Sequence, residues 1–442
     1  MGGRKMNFIG IPGSVTAASG YRAAGVFCDI KRIGTGKGSN KGKKRDLALI
    51  VSEVPAVAAG TFTTNQACAA PVKICIERLK RKRAQGIVVN SGNANACTGA
   101  QGLRDARETT ELAAQQLNIP AELVLVGSTG RIGVSLPMDN VEHGIQAAAE
   151  LLGSTREHSA QVAEAIMTSD TRPKEVAVEM RLGGKRVRIG GVCKGAGMIQ
   201  PGMSPNGARP ALHATMLCFI TSDAAVAAGP LQAALNSAVA QSFNRITVDS
   251  DMSTNDTVLL LANGLAGNPI IRKNRGSDFA LFQSALNHVT LELAKMIVRD
   301  GEGVTRFVTV HVNGAKSGGD ADAAARAIAN SPLVKTSWCG GDPNWGRILA
   351  AVGYSSAKVV EEKIDIAYSL PGGARQIAAV RKGQDAGTRF SELCKIVAEK
   401  EFEVHVNLNV GKHSTSMYSS DFTEDYVEFN KGDVSDPASM GG

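Results

Sequence analysis

The spacing of apolar residues changes repeatedly along this chain, from the 3.6-residue period of a helix to the short apolar runs of strands. Helical spacing runs through Arg104–Leu117, Asn140–Leu152, Leu231–Phe243, Phe279–Val298 and Arg389–Glu399. Strand-like runs include Leu47–Val51, Gly86–Val89, Val258–Ala262, Phe307–Val312, Ile364–Tyr368 and Phe402–Val410. Strands mixed with long helices in an irregular order predict an α/β protein whose sheets are covered by helices, not a regular βαβ repeat.

Length and composition fit this class. A chain of 442 residues is too long for one ordinary core, so we expect two or three lobes, or one large domain with a satellite. Hydrophobic residues make up 43% and aromatics only 4%, while 49 residues are glycine. This composition predicts small-residue packing with many tight turns and is typical of a soluble α/β enzyme.

Several classes of protein are disfavoured. No apolar run approaches the ~20 residues of a membrane helix, and no hydrophobic signal core follows the N-terminus, so we expect a cytoplasmic protein without membrane attachment. The eight cysteines are scattered without a CxxC pair, which predicts reduced thiols. The seven histidines include no HxxxH pair, so we expect no metal site.

The net charge of +8 comes largely from two basic stretches, Lys31–Arg45 and Arg78–Arg83. A nucleic-acid interface would need a recognition motif or stacking aromatics beside them, and neither stretch contains an aromatic residue. We therefore interpret both as solvated surface loops that help to attract acidic metabolites, and we expect no nucleic-acid partner.

Two segments rich in glycine and small polar residues follow apolar runs. Asparagine and glycine in Asn90–Gly99 tolerate left-handed backbone and can aim amides at a ligand, and a ligand-binding loop and a plain turn fit them equally well. The second segment, Val126–Gly133, contains a glycine-flanked Ser-Thr pair that could present backbone N–H groups to a developing oxyanion.

Three further segments carry hydroxyls or carboxylates. Thr215 opens an apolar run directly after Ala214, and cleavage of that bond would give its hydroxyl an α-amino group as a base. The unperturbed pKa of such an amine is about 8, close to operating pH. Carboxylates cluster in Thr247–Thr257 and Arg299–Thr305, where metal binding, amine binding and loop capping remain possible. These residues alone indicate a hydrolase or a transferase with an undecided nucleophile.

Taken together and in this order, the segments resemble the glutamate N-acetyltransferase family, also called ornithine acetyltransferase. The resemblance runs over nearly the whole chain, from the Gly20–Gly25 segment to Tyr426-Val427. It is carried by Asn90–Gly99, Gly127–Gly133, Lys194–Met198 with Ala214–Leu217, Thr247–Leu261 and Gly341–Arg347. The family implies an α/β sandwich related to autoprocessing, Ntn-like aminopeptidases, with a smaller C-terminal α/β lobe.

The resemblance also implies roles for individual residues. Thr215 would cleave the bond after Ala214, giving an alpha chain of residues 1–214 and a beta chain of residues 215–442, and would then carry the acetyl group. Thr129 and Gly130 would form the oxyanion hole. The substrate would contact Thr171, Lys194, Thr215, Glu302, Asn430 and, matched by spacing only, Ser435. The two chains would stay associated and pair into a heterotetramer.

The implied reaction is acetyl transfer from N2-acetylornithine to glutamate in arginine biosynthesis, with no cofactor. The sequence leaves open whether acetyl-CoA is also a donor and whether arginine inhibits the enzyme. The alternative enzyme is an amidohydrolase or aminopeptidase of the related fold, with water as the acyl acceptor. A departure from the family pattern, the inserted segment Ser204–His213, lies just before the cleavage site, and we expect it to loop outward.

Overall fold

The computed structural model describes residues 7–33, 44–200, 202–205, 216–373 and 375–431. These residues divide into two compact units. The first contains the described residues up to Asn244 together with Asp251–Ile297, and the second contains Arg245–Ser250 and Val298–Lys431. Both units mix strands and helices. The predicted α/β class and the smaller C-terminal lobe are therefore confirmed.

The first unit is built on one ten-stranded mixed sheet. Its strands are β1 (Phe8–Ile11), β2 (Tyr21–Val26), β3 (Leu47–Thr63), β4 (Arg83–Asn93), β5 (Val124–Arg131), β6 (Lys174–Leu182), β7 (Lys185–Lys194), β8 (Met203–Ser204), β9 (Leu217–Ser222) and β10 (Thr257–Ala262). The order across the sheet is β1-β6-β7-β9-β10-β3-β4-β5, with β2 and β8 also paired to β3.

The middle of this sheet is fully covered. Every residue of β9 and β10 is buried, and the two strands run parallel. Continuous apolar runs of this kind are typical of strands packed on both faces. Strand β9 also pairs antiparallel with β7, so it is hydrogen-bonded to a neighbour on each side.

The described residues of this unit also form the helices α1 (Ile30–Ile33), α2 (Ala70–Arg78), α3 (Gly99–Leu117), α4 (Met138–Glu150), α5 (Arg156–Ala165), α6 (Ala228–Gln241) and α7 (Ser277–Arg299), the last of which continues into the second unit. The helices predicted near α4, α6 and α7 are confirmed within three residues at each end, and α3 is confirmed with a start five residues earlier than predicted. The hairpin predicted across Gly183-Gly184 is confirmed as β6 and β7, and both glycines adopt the positive φ that its turn requires.

Strand β3 is much longer than the predicted Leu47–Val51. The polar Ser52-Glu53 and the following Pro55 signal an end, because proline cannot donate to a strand ladder. The pairing register with β4 instead shifts between Val51 and Ala56, and the strand continues through this irregularity to Thr63. This continuation lets one strand pair with β2, β4, β8 and β10.

The prediction that both basic stretches are solvated surface loops is wrong at two residues. Lys31 is buried, and its Nζ donates to the Arg45 carbonyl at 2.6 Å. Burial lowers the pKa of Lys31 to about 8, although the negative charge of Asp46 acts in the other direction and raises it. Arg78 is also buried, and its guanidinium donates to the carbonyls of Ala121, in the 3₁₀ turn before β5, and of Val124, the first residue of β5. Residues 34–43 lie outside the described part of the chain.

The second unit contains a six-stranded sheet in the order β14-β13-β12-β15-β11-β16. Its strands are β11 (Phe307–Ala315), β12 (Asp365–Ser369), β13 (Ile377–Arg381), β14 (Gln384–Asp385), β15 (Glu401–Asn407) and β16 (His413–Ser420). Its helices are α8 (Gly318–Asn330), α9 (Pro332–Cys339), α10 (Trp345–Tyr354), α11 (Phe390–Val397) and α12 (Glu424–Asn430). Alternate residues of β15 are buried, so this sheet has one apolar and one more polar face.

All eight cysteines lie in the described ranges and are free thiols, as the scattered spacing predicts. None of the helices described is both long enough and apolar enough to cross a bilayer.

Candidate functional site

The predicted oxyanion segment lies at the end of β5. Thr129 is buried, and β5 runs parallel to β4 with Thr129 opposite Ser91 and Gly130 opposite Gly92. Gly130 has a φ of +132°, and a Cβ placed there would lie 2.3 Å from the Gly92 carbonyl carbon. Only glycine tolerates both this φ and this approach, so the close contact between the ends of β4 and β5 requires a residue without a side chain at position 130.

Replacing Gly130 by alanine is expected to destabilise the first unit by about 3 kcal/mol, because the methyl group collides with backbone that cannot move aside. The matched control is Gly133→Ala, since Gly133 also has a positive φ, +80°, but has open space where a Cβ would go. We expect the control to cost only about 1 kcal/mol, from backbone strain alone. Urea unfolding followed by circular dichroism measures both; equal losses would show that the close approach does not matter.

The asparagine-rich segment after β4 supports this strand end. Ser128 Oγ donates to Asn90 Oδ1 at 2.6 Å, and Asn90 Nδ2 donates to the Asn93 carbonyl at 2.9 Å. Asn255, from the chain just before β10, donates from its amide to the Ala94 and Ser128 carbonyls at 2.6 and 2.8 Å. These amides bond within the protein, so the turn interpretation describes them better than direct ligand binding.

Lys194, on the strand β7 that pairs with β9, lies close to the predicted oxyanion segment. It is the last residue of β7, it pairs in register with Leu217, and its side chain is buried. Its Nζ donates to Thr129 Oγ1 at 3.3 Å. Two residues proposed from the resemblance, far apart in sequence, are thus brought into contact, and the contact places a cation beside the Thr129 hydroxyl.

The buried carboxylate of Asp170 binds the backbone directly after Lys194. Its Oδ1 accepts from Lys174 Nζ at 2.6 Å and from the Gly195 N–H at 2.7 Å. Burial alone would raise the pKa of this carboxyl, but the charges of Lys174 and Lys194 and the Gly195 N–H hold it well below its usual range. Thr171, a predicted substrate contact, follows Asp170 directly and is exposed.

The predicted nucleophile Thr215 and the preceding Ala214 lie outside the described residues. The described chain resumes at Met216, whose N–H donates to the Asp256 carboxylate. The Met216 carbonyl accepts from the Thr257 N–H at 3.1 Å. The residue that follows the predicted nucleophile is therefore held at both its amide and its carbonyl, directly before the fully buried β9.

In the second unit, Glu302 and Asn430 are brought together: Asn430 Nδ2 donates to Glu302 Oε2 at 2.9 Å. Both belong to a close contact between the loop before β11 and helix α12. Thr423, the N-cap of α12, donates to the Gly303 carbonyl at 2.7 Å, and a Cβ at Gly303 would lie 2.4 Å from the Tyr426 nitrogen. The third C-terminal candidate, Ser435, lies outside the described residues.

The residue patterns did not single out Asp421, which anchors the same loop. It is buried, and its Oδ1 accepts from the backbone N–H groups of Thr305 and Arg306 at 3.0 and 2.9 Å. Its one signal in the sequence is its place in Ser419–Val427, a segment near the C-terminus that contains three acidic residues. The predicted site residues thus form two groups: Thr129, Gly130, Thr171 and Lys194 belong to the first unit, and Glu302 and Asn430 to the second.

The end of β5, with the buried Lys194 beside Thr129, has the polar groups that an acyl-transfer site needs. The sequence model of the ArgJ family matches residues 23–432. The chain belongs to the ArgJ family, and it is an acyltransferase, as the resemblance predicts.

Individual relatives cover almost the same span. The arginine biosynthesis bifunctional protein ArgJ of Symbiobacterium thermophilum is 46% identical over 95% of this chain and 98% of its own length. The glutamate N-acetyltransferase of Methanocaldococcus jannaschii is 44% identical, again over 95% of this chain and 98% of its own. Among solved structures, ornithine acetyltransferase from Mycobacterium tuberculosis, complexed with ornithine, is 37% identical over 45% of this chain and all of that chain, with a TM-score of 0.40.

Proposed function

We propose that this protein transfers the acetyl group of N2-acetylornithine to glutamate, in arginine biosynthesis, through an acetyl ester on Thr215. The observation that carries the proposal is the contact between Lys194 Nζ and Thr129 Oγ1 at the end of β5, in a chain similar over nearly its full length to proteins named for this pathway. A buried cation beside an oxyanion-type strand end fits a substrate that carries both a carboxylate and an acyl group.

The reaction proceeds in two displacements. The Thr215 hydroxyl attacks the acetyl carbonyl of N2-acetylornithine, the amide C–N bond breaks, and ornithine leaves with a proton on its amine. The glutamate amine then attacks the ester, loses a proton, and leaves as N-acetylglutamate while the Thr215 hydroxyl is restored. The Thr215 α-amine, with a pKa of about 8 when unperturbed, serves as base and acid in turn. Backbone N–H groups near Thr129 and Gly130 stabilise the oxyanion of each tetrahedral intermediate.

The α-amine requires cleavage between Ala214 and Thr215, giving chains of residues 1–214 and 215–442. The strand pairing favours chains that stay together, because β9 is hydrogen-bonded to β7 from the first chain and to β10 from the second. Separation would expose fully buried strands to water. We propose a heterotetramer of two alpha and two beta chains, located in the cytoplasm.

In this proposal Lys194 binds the α-carboxylate that both substrates share. Thr171 follows the Asp170 that holds this segment and is a second proposed substrate contact. The contacts of Glu302, Asn430 and Ser435 with substrate stay predictions from the resemblance. No cofactor takes part. Acetyl-CoA is the candidate for a second acetyl donor, because several relatives are named bifunctional proteins. The labelled acetyl-CoA assay described below tests it.

Replacing Lys194 by methionine is expected to raise KM for both N2-acetylornithine and glutamate by about 10- to 100-fold, because a charged hydrogen bond contributes about 1.5–3 kcal/mol. The control is Lys185→Met, an exposed lysine at the opposite end of the same strand. Steady-state kinetics with each substrate varied separately give the result. A fall in kcat with both KM values unchanged would instead assign Lys194 to positioning Thr129.

The function itself is tested with N2-acetylornithine labelled in the acetyl group. Formation of labelled N-acetylglutamate and free ornithine, detected by mass spectrometry, supports the proposal when glutamate is present. Release of labelled acetate at the same rate with or without glutamate would favour the amidohydrolase alternative and overturn the transferase. Labelled acetyl-CoA in place of N2-acetylornithine answers whether the enzyme has a second donor.

A further inference from the structure

Three side chains with metal-binding chemistry meet on the more polar face of the second unit's sheet: His311, Glu403 and His405. Strands β11 and β15 run parallel with His311 opposite His405, and Glu403 lies two residues before His405 on the same face. The alternate residues, such as Val310 and Val404, are fully buried on the other face. The pairing register of the two strands therefore brings these side chains together, and a local sequence motif does not predict the cluster.

The spacing of the ligand atoms fits a bound ion. His311 Nε2 and His405 Nε2 lie 3.6 and 3.5 Å from the same oxygen, Glu403 Oε2. These separations exceed the usual length of a hydrogen bond. A tetrahedral ion with bonds of about 2.0–2.1 Å keeps its ligand atoms about 3.3–3.4 Å apart, which is close to the observed spacing. All three ligand atoms lie within 4.8 Å of one another. The two imidazole rings stack with centroids 4.9 Å apart and planes 13° apart, so at least one ring has to turn to direct its Nε2 lone pair at a shared ion.

Each of these side chains is also held from behind. His311 Nδ1 contacts Ser416 Oγ at 2.8 Å, which directs its Nε2 toward the carboxylate. Glu403 Oε1 accepts from the Gly372 N–H at 3.1 Å, which leaves Oε2 facing the two rings. His405 Nδ1 contacts the Gln376 amide at 3.3 Å. Partners of this kind orient the ligands in protein metal sites.

We propose that His311, Glu403 and His405 bind a divalent transition-metal ion such as Zn²⁺, separately from the acyl-transfer site. Two imidazoles and one carboxylate are a ligand set that zinc uses, with a fourth position left for water or a small anion. The Ser369 hydroxyl lies 2.8 Å from His405 Nε2 and donates to Glu403 Oε2 at 3.3 Å, so the proposed ion has to displace this hydroxyl.

The test uses the full-length protein, stripped of metal with a chelator and titrated with Zn²⁺ by calorimetry. We expect about one ion per chain, with at least about 10-fold weaker binding in Glu403→Gln and in His405→Ala. His413→Ala is the matched control, because His413 is an exposed histidine of the neighbouring strand β16 outside the cluster. Titration with Co²⁺ excludes binding to the free cysteines, since thiolate ligands add an intense near-ultraviolet absorption band that imidazole and carboxylate do not.

Zinc binding that is lost in both cluster variants and kept in His413→Ala supports the site. The proposal is overturned if the wild-type protein binds no Zn²⁺, if the cluster variants bind as tightly as wild type, or if Co²⁺ shows thiolate ligation. Glu403→Gln preserves the size and shape of the side chain, so it remains informative if His405→Ala fails to fold. Acetyl transfer is measured in parallel; its failure would leave the zinc result unaffected, since the two rest on different residues.

Discussion

Thr215→Ala is expected to yield a single uncut chain of 442 residues that transfers no acetyl group, whereas the wild-type protein yields two fragments, residues 1–214 and 215–442. The alanine removes the hydroxyl that attacks the preceding carbonyl, and without cleavage no α-amine is formed to act as the base. Removing a nucleophile typically costs about 10³-fold or more in kcat. Intact mass and a denaturing gel report cleavage, and the labelled-acetyl assay reports transfer.

Thr215→Ser is the control, because it keeps a hydroxyl at the same position and should still be cleaved, at a lower rate. An uncut wild-type protein would contradict the mechanism as stated and direct attention to the inserted segment before the cleavage site. Deleting Asn206–His213 then separates the two explanations. The deletion begins after β8, whose Met203 and Ser204 pair with Thr63 and Phe62, so the strand remains intact. Cleavage restored by the deletion would attribute the block to the insertion, and continued absence of cleavage would exclude Thr215 as the self-cleaving residue.

Periodicity predicted the regular elements well because their packing is simple. Helix α3 buries Ala106, Thr110 and Ala113 at helical spacing along one face, and the amino-acid sequence by itself displays that spacing. Strand β3 was predicted too short, because its extension beyond Pro55 depends on partner strands that no local window contains. Of two helices with eight residues each, α11 was predicted, because it buries Leu393, Ile396 and Val397 at helical spacing. Helix α9 was missed, because the residues that it buries include the polar Lys335 and Ser337.

Some residues of the candidate site could likewise be predicted from the sequence, and others could not. Thr129, Gly130 and Lys194 could be proposed from the sequence because they occur in recognisable segments. Asp170 and Asn255 could not, since their importance comes from contacts across the fold: Asp170 with the Gly195 N–H, and Asn255 with the Ser128 carbonyl. A buried asparagine or aspartate looks the same in the sequence as one that caps an exposed loop. Only the three-dimensional contacts distinguish them.

Asp170→Asn is expected to destabilise the protein by about 3–5 kcal/mol at neutral pH, because it removes one partner of a buried ion pair. The Lys174 Nζ lies 2.6 Å from the Asp170 carboxylate with both side chains almost fully buried, and an amide leaves that ammonium without its counter-charge. Urea unfolding at pH 7 measures the loss. Asp139→Asn is the control, since Asp139 is an exposed residue in the first turn of α4, and its cost should stay below about 1 kcal/mol.

The effect has a defined pH dependence. The folded-state pKa of Asp170 is lowered, so its ionised form stabilises the fold fully above the unfolded pKa of about 3.9, and this stabilisation is lost as pH falls below that value toward the folded pKa. The difference in unfolding free energy between wild type and Asp170→Asn should therefore be constant from about pH 5 to 7 and shrink in more acidic solution.

In the double variant Asp170→Asn with Lys174→Met, neither of the paired charges is present, and we expect much of the lost stability to return. A gap that widens toward acid, or a double variant no more stable than Asp170→Asn, would mean that this ion pair does not account for the stability of the segment that holds Lys194.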